Sequence, residues 1–312
     1  MALPFDIANF NLTNFAGAYN DLFDSTPADV SIQVKDSSGN ITTKTVANRG
    51  KFKQQLWDDV GGALGQFDRT FYIDADNGND NNDGSSGSPF KTLAKALNSV
   101  PMGGRGTIKF IGGDSDNQKI YNYYNNDISG MIINKNINIV LNDYVTWNIL
   151  GNENGHEWAS ILSVVNSQIT IVINSNSEIV FKTAQNNWSH ITRGGLLNLA
   201  NSSCKIGKYN GGSIKFEDNS YHLITQYSRD AIAGNGALNI YYQDFIFDVS
   251  GDHPSKLINL YEGQYFNFYS NSASYKDTDG NALGITTLVD GIIRDADSGN
   301  PINFVSNTNF SS

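Results

Sequence analysis

Apolar positions follow two rhythms, and the change falls near residue 105. In Ser31-Ile32-Gln33-Val34-Lys35 and Ile41-Thr42-Thr43-Lys44-Thr45-Val46, apolar and polar residues alternate around Asp36-Ser37-Ser38-Gly39-Asn40. Two alternating runs about such a turn predict a β-hairpin. Phe52, Leu56, Val60 and Leu64 then recur every four residues, with Phe67 near the same face. That is a helical period. Gly61 and Gly62 each weaken it by about 1 kcal/mol, so a kink or a second element is expected there. Phe71-Tyr72-Ile73 reads as a strand. Over 88–97, Phe90, Leu93, Ala94 and Leu97 share one helix face, and Pro101 ends the run. Ser88 is the expected cap of this helix, because its oxygen can accept a first-turn N–H. Pro89 suits the first helical position, where no donor is needed. The cap helix is placed near 88–99.

Beyond residue 105 the helical period is gone. Short apolar runs at 107–111, 132–141, 169–173, 178–181, 213–216, 238–249, 257–261 and 265–269 are separated by Asn, Gly and Ser. Many short strands with such punctuation predict a sandwich, a barrel or a solenoid. Repeats favour the solenoid. Six hexapeptides, starting at Ile137, Leu162, Leu197, Leu238, Ile258 and Ile302, have apolar first and third places. Their second place is Asn in five and Ser163 in one. Alternation would turn the apolar residues inward and the Asn outward, where amides on stacked turns could bond one another. Successive starts are 25, 35, 41, 20 and 44 residues apart. A bare coil of roughly 20–25 residues with loops of differing length would produce such spacing.

Composition adds to this picture. The chain has 312 residues, and 41 of them, about one in eight, are Asn. Charged residues make up 17%, below the usual ~25%. Asn and Gly accept left-handed backbone angles at low cost, as an all-β chain with many corners requires. The formal charge of −10 argues against a nucleic-acid partner, since phosphates repel it. A single cysteine, Cys204, leaves no intrachain disulfide and no Cys-rich zinc site. No apolar run approaches the ~18 residues of a membrane span, so membrane insertion is not expected. The opening MALPFDIANF has an early acid and no basic region, unlike a secretory signal.

The stretch Asp74-Ala75-Asp76-Asn77-Gly78-Asn79-Asp80-Asn81-Asn82-Asp83-Gly84 is dense in oxygen ligands and could be a calcium loop. It fails the EF-hand pattern, because Asn79 and Ser85 stand where Gly and the bidentate Glu belong. A structural turn is the expected reading. This turn, the strand before it and the run Ser88–Leu97 together resemble the opening of pectin-lyase-like right-handed β-helix proteins. A helix caps the solenoid there. The combination with a short N-terminal segment is similar to bacteriophage tail fibres and tailspikes. The resemblance implies a right-handed parallel β-helix over 71–312. It also implies that a small α+β segment, 1–70, attaches to other virion proteins, and that the chain forms a homotrimer.

Candidate chemistry is sparse. Asp244 and Asp248 share a strand face, but at ~3.3 Å per residue they stand about 13 Å apart. That exceeds the ~5–9.5 Å of glycosidase pairs. Glu217-Asp218 and Glu153/Glu157 fall in loops. His156, His190, His222 and His253 show no metal-ligand spacing. No metal or cofactor is expected. Two loops, Gly151–Trp158 and Gln185–His190, set Trp among polar residues, and Tyr241, Tyr242, Tyr261 and Tyr265 could form an aromatic strip. Aromatic faces stack on sugar rings while nearby amides bond hydroxyls. Trp158, Trp188, Tyr241 and Tyr261 are therefore the candidate residues for a bacterial surface glycan. The expected protein is a non-enzymatic phage tail or head fibre in the virion. A tailspike-type polysaccharide depolymerase is the alternative. A secreted β-helix adhesin would need an export signal, which this N-terminus lacks.

Overall fold

The structure, a computed structural model, describes residues 28–35, 38–51, 68–124, 130–150, 160–182, 194–207, 211–217, 221–226, 235–251, 254–260, 264–308 and 310. The chain divides into two compact units, Met1–Gln66 and Phe67–Ser312. In the first, β1 (Asp29–Lys35) pairs antiparallel with β2 (Ile41–Ala47), from Asp29 opposite Ala47 to Lys35 opposite Ile41. The predicted hairpin is present. Buried Asn48 closes it: its Oδ1 accepts the N–H groups of Ala28 (3.1 Å) and Lys51 (2.8 Å). The helix expected from Phe52, Leu56, Val60, Leu64 and Phe67 lies outside the described residues.

The second unit is a right-handed parallel β-helix. Its first sheet stacks β3 (Asp68–Ile73), β4 (Arg105–Phe110), β7 (Asn136–Leu141), β10 (Gln168–Ile173), β13 (Ser202–Ile206), β16 (Gly236–Tyr241), β19 (Phe266–Asn271) and β22 (Phe304–Ser306). The second sheet stacks β5 (Lys119–Tyr124), β8 (Val145–Leu150), β11 (Glu178–Lys182), β14 (Ser213–Phe216), β17 (Asp244–Phe247) and β20 (Ser274–Asp277). The third stacks β6 (Gly130–Ile133), β9 (Ser160–Val165), β12 (Gly194–Ala200), β15 (Tyr221–Gln226), β18 (Lys256–Leu260) and β21 (Val289–Asp290). β3 leads through a helix to β4; from β4 onward each turn visits the three sheets in order, and every pairing between turns is parallel.

Like residues stack on like. Ile108, Ile139, Ile171, Ile206 and Ile240 occupy one inward position of the first sheet on five successive turns. All five are fully buried. In the second sheet, Phe181, Phe216 and Phe247 stack at 4.5 and 4.7 Å with nearly parallel rings. Cys204 fills an inward place between Ile169 and Leu238, and burial pushes its thiol well above the ordinary range. It packs as a small apolar residue.

The register gives the length of each full turn. Gly106, Ile137, Ile169, Cys204, Leu238 and Phe268 stack in register, and their numbers differ by 31, 32, 35, 34 and 30. These steps include the loops, such as 183–193 between β11 and β12, as a bare coil with loops of differing length requires. The six hexapeptides lie on two sheets: those at Ile137, Leu238 and Ile302 on the first, and those at Leu162, Leu197 and Ile258 on the third. Their spacings mix steps within a turn with steps between turns. For the same reason their Asn residues form no ladder. Asn138 is flanked by Thr107 and Thr170, and Asn239 by Lys205 and Tyr269.

The cap helix also differs from expectation. α1 spans Leu93–Ser99, and its cap is Thr92, whose Oγ1 accepts Lys95 N–H at 3.1 Å. Ser88–Phe90 is extended instead: Phe90 N–H donates to Tyr72 O and Asp74 N–H to Phe90 O, both at 2.9 Å. Asp80 fixes the entry by accepting the N–H groups of Lys91 and Thr92, each at 2.9 Å. Pairing with β3 thus outweighs the Ser88-Pro89 start signal. Leu93, Ala96 and Leu97 are buried, and α1 packs against β3, β4 and β6. The Asp-rich stretch is a turn: Asp74 Oδ1 accepts Asp76 N–H, and Lys119 Nζ lies 2.7 Å from both Asp74 oxygens. Gly78 is required in it, because a Cβ there would meet Phe90 O at 2.2 Å.

Candidate functional site

The corner from the third sheet into the first carries the Asn stack that the strands lack. Asn134, Asn166, Asn201 and Asn235 each stand two residues before a paired outward strand position, on four successive turns. The first three have φ of 49°, 47° and 48°. Among residues with a Cβ, Asn accepts this left-handed region most readily, which accounts for its choice at a tight corner. All four side chains are exposed. On the next turn the place belongs to Tyr265, 61% exposed, whose carbonyl accepts Gly236 N–H.

A serine ladder under this stack rigidifies the corner. Ser167 Oγ accepts Lys135 N–H at 3.0 Å and donates to Val165 O at 2.7 Å. One turn on, Ser202 Oγ accepts Ser167 N–H at 3.1 Å and donates to Ala200 O at 2.7 Å. Both serines are buried. Outside them lies a shallow cleft of about 550 Å³, with side chains of Asn136, Gln168 and Asn267 from the strands and Asn166, Asn201 and Asn235 from the corner. Ser203 and Ala237 complete its floor, and no lining residue is ionisable. Carboxamides both donate and accept, so the cleft offers paired polar functions without charge.

The spacing could have revealed this site. Asn134, Asn166, Asn201 and Asn235 are 32, 35 and 34 residues apart, and each is followed by an apolar residue three places on: Ile137, Ile169, Cys204 and Leu238. The hexapeptides begin beyond the corner, at Ile137 and Leu238 on this sheet, so strand alternation does not display it.

Of the four aromatic candidates, Tyr241 is described, while Trp158, Trp188 and Tyr261 lie outside the described residues. Tyr241 is outward on β16. Lys205 Nζ sits 5.0 Å from its ring centroid, and the Tyr269 ring is 5.6 Å away. This aromatic pair and the amide cleft share the outer face of the first sheet. The segments holding Trp158 and Trp188 join β8 to β9 and β11 to β12, and these strands pair, β8 with β11 and β9 with β12.

Asp244 and Asp248 stand at opposite ends of β17, so they do not converge. Asp244 Oδ1 accepts Ser274 Oγ, and Asp248 Oδ1 accepts Ser250 N–H at 2.9 Å. A different pairing emerges on the second sheet. Glu217 N–H donates to Phe181 O and Asp248 N–H to Phe216 O, both at 2.9 Å. Glu217 and Asp248 thus follow corresponding ends of β14 and β17 on adjacent turns. Among the described residues no group of three His, Cys, Asp or Glu could hold a metal ion. His222 is buried opposite Lys256 on β18; burial, then the Lys256 charge, holds its imidazole down at about 4. No described helix is long and apolar enough to cross a membrane. In comparisons with known proteins, no family model, no curated protein and no solved structure matches the chain.

Proposed function

We propose that this protein is a structural component of a virion, a phage tail or head fibre that attaches to the host surface by recognising a glycan. In this reading the β-helix assembles as a homotrimer, and residues 1–70 join it to other virion proteins. The observation that carries the reading is the pairing, on one outer face, of an uncharged amide cleft with the Tyr241–Tyr269 rings. Polar groups of that kind satisfy sugar hydroxyls, and ring faces stack on sugar carbons. Labelled protein should bind bacterial cells and lose that binding after periodate oxidation of surface glycans. Binding that survives oxidation would count against glycan attachment. Light scattering should give three times the chain mass of 34.1 kDa, and a monomer would argue against the fibre.

A depolymerase is the second reading, favoured by the placement of Glu217 beside Asp248 on adjacent turns. Neighbouring strands are ~4.8 Å apart, close to the ~5–5.5 Å carboxyl separation of retaining glycosidases. Incubation with host capsule would then release oligosaccharides, and Glu217→Gln would abolish the release.

A further inference from the structure

The corner cleft holds hydrogen-bonding capacity that the fold does not use. The carboxamides of Asn136, Asn166, Gln168, Asn235 and Asn267 make no hydrogen bond to a described residue, whereas the serines beneath them are committed to backbone groups. Asn136 and Gln168 are neighbours on adjacent turns of the strand row, and Asn166, Asn201 and Asn235 follow one another at the corner, at the ~4.8 Å spacing of successive turns. We infer that the cleft is a binding site for an uncharged, hydroxyl-rich glycan strand that lies along the stack of turns, across the Asn134–Asn235 corner towards Tyr265. The inference rests on the attachment reading above and adds the place of binding, the direction of the strand and its charge class.

Three features select this ligand over others. Each carboxamide donates and accepts, and so does each sugar hydroxyl, so either partner can adjust to the other. No Lys or Arg lines the cleft to offset a carboxylated or phosphorylated polymer, and no acid lines it to offset a cation. A charged polymer would therefore gain no ion pair there. Nucleic acid is disfavoured on the same ground, because its affinity depends on cations against phosphates. An added peptide strand is disfavoured by the backbone. Asn134 N–H donates to Val165 O, Asn166 N–H to Ala200 O and Ser202 N–H to Asn235 O, so this corner has no free strand edge. Tyr265 continues the corner on the next turn with an exposed ring, a platform on which a sugar at the end of the strand can stack.

Affinity electrophoresis of the full chain tests this, with dextran, mannan and galactan as uncharged polymers and alginate and hyaluronan as anionic ones. At least one uncharged polymer should retard the protein, without sensitivity to salt, and the anionic ones should not. The double variant Gln168→Ala with Asn267→Ala should weaken that retardation about tenfold, because two hydrogen bonds to the polymer are lost. Because neither side chain bonds a described residue, its melting temperature should match that of the wild type. Salt-sensitive retention by alginate or hyaluronan would overturn the inference. So would unchanged retention of the double variant by the uncharged polymer. If Tyr241→Ala then removes that retention, glycan attachment stands and the cleft is not its site. If no polymer in the panel is retained and periodate does not affect cell binding, both readings fall.

Discussion

Asn166 and Asn201 stand in register at the same corner of successive turns, with nearly identical left-handed backbones, φ 47° and 48°. Asn201 Oδ1 also accepts Asn235 N–H, at 3.3 Å, from the turn that follows. The corner is thus set by conformation first and by one amide bond second. Asn201→Ala should lower unfolding free energy by about 1–2 kcal/mol, since a Cβ without a polar side chain is disfavoured in this region. Asn201→Gly should cost less, because glycine enters the region freely. Urea denaturation of the two variants checks the order, and equal costs would show that conformation is not the determinant.

Ser202→Ala should cost more than its size suggests. It leaves the buried Ser167 N–H without an acceptor, and an unsatisfied buried donor costs about 1–3 kcal/mol. A Ser203→Ala change at the neighbouring outward place should be nearly neutral by the same measurement.

Phe216 lies between Phe181 and Phe247, with stacking distances of 4.5 and 4.7 Å. Phe216→Ala should destabilise by about 3–5 kcal/mol, as a large core deletion does. Phe216→Leu keeps most of the volume and should cost about half as much or less. Thermal unfolding followed by circular dichroism would rank them.

Acid should weaken the fold in two stages. His222 titrates at about 4 when folded and near 6.5 when unfolded, so the unfolded chain takes the proton first. Its contribution is complete above 6.5 and is lost as pH falls from there to about 4. The aspartates act lower. Burial pushes the Asp74 carboxyl up, but Lys119 and the N–H groups of Asp76 and Asn77 hold it below 3.8 overall. The Ser298 N–H does the same for Asp295, and the Asn281 side chain for Asp277. Their contribution is present above 3.8 and disappears as pH falls below it. Urea midpoints measured from neutral pH downward should show both declines, and His222→Phe should remove the first.

The fold was legible because its strands are short, polar residues punctuate them, and apolar residues alternate. Ile137 and Ile139 read inward from the pattern, and they are buried. Period and face were harder to read. Ile137–Asn142 and Leu162–Ser167 look alike as strings, yet they belong to different sheets, and only the pairing register separates them. The helix starts later than Ser88-Pro89 signals, because that local signal loses to two backbone bonds with β3 and the residue after it. Of the four aromatic candidates only Tyr241 is among the described residues, and it faces outward beside Tyr269. The amide cleft was not legible, because it is built from residues 30 or more apart, none of which is distinctive alone. A second surprise of this kind is Glu217 beside Asp248, which strand alternation could not bring together.

Hydrogen–deuterium exchange with and without a retained uncharged polysaccharide tests glycan recognition most directly. The account predicts slowed exchange recurring at four corners, in peptides covering 134–136, 166–168, 201–203 and 235–237. Slowing confined to peptides around Tyr241 and Tyr269, with all four corners unchanged, would contradict it.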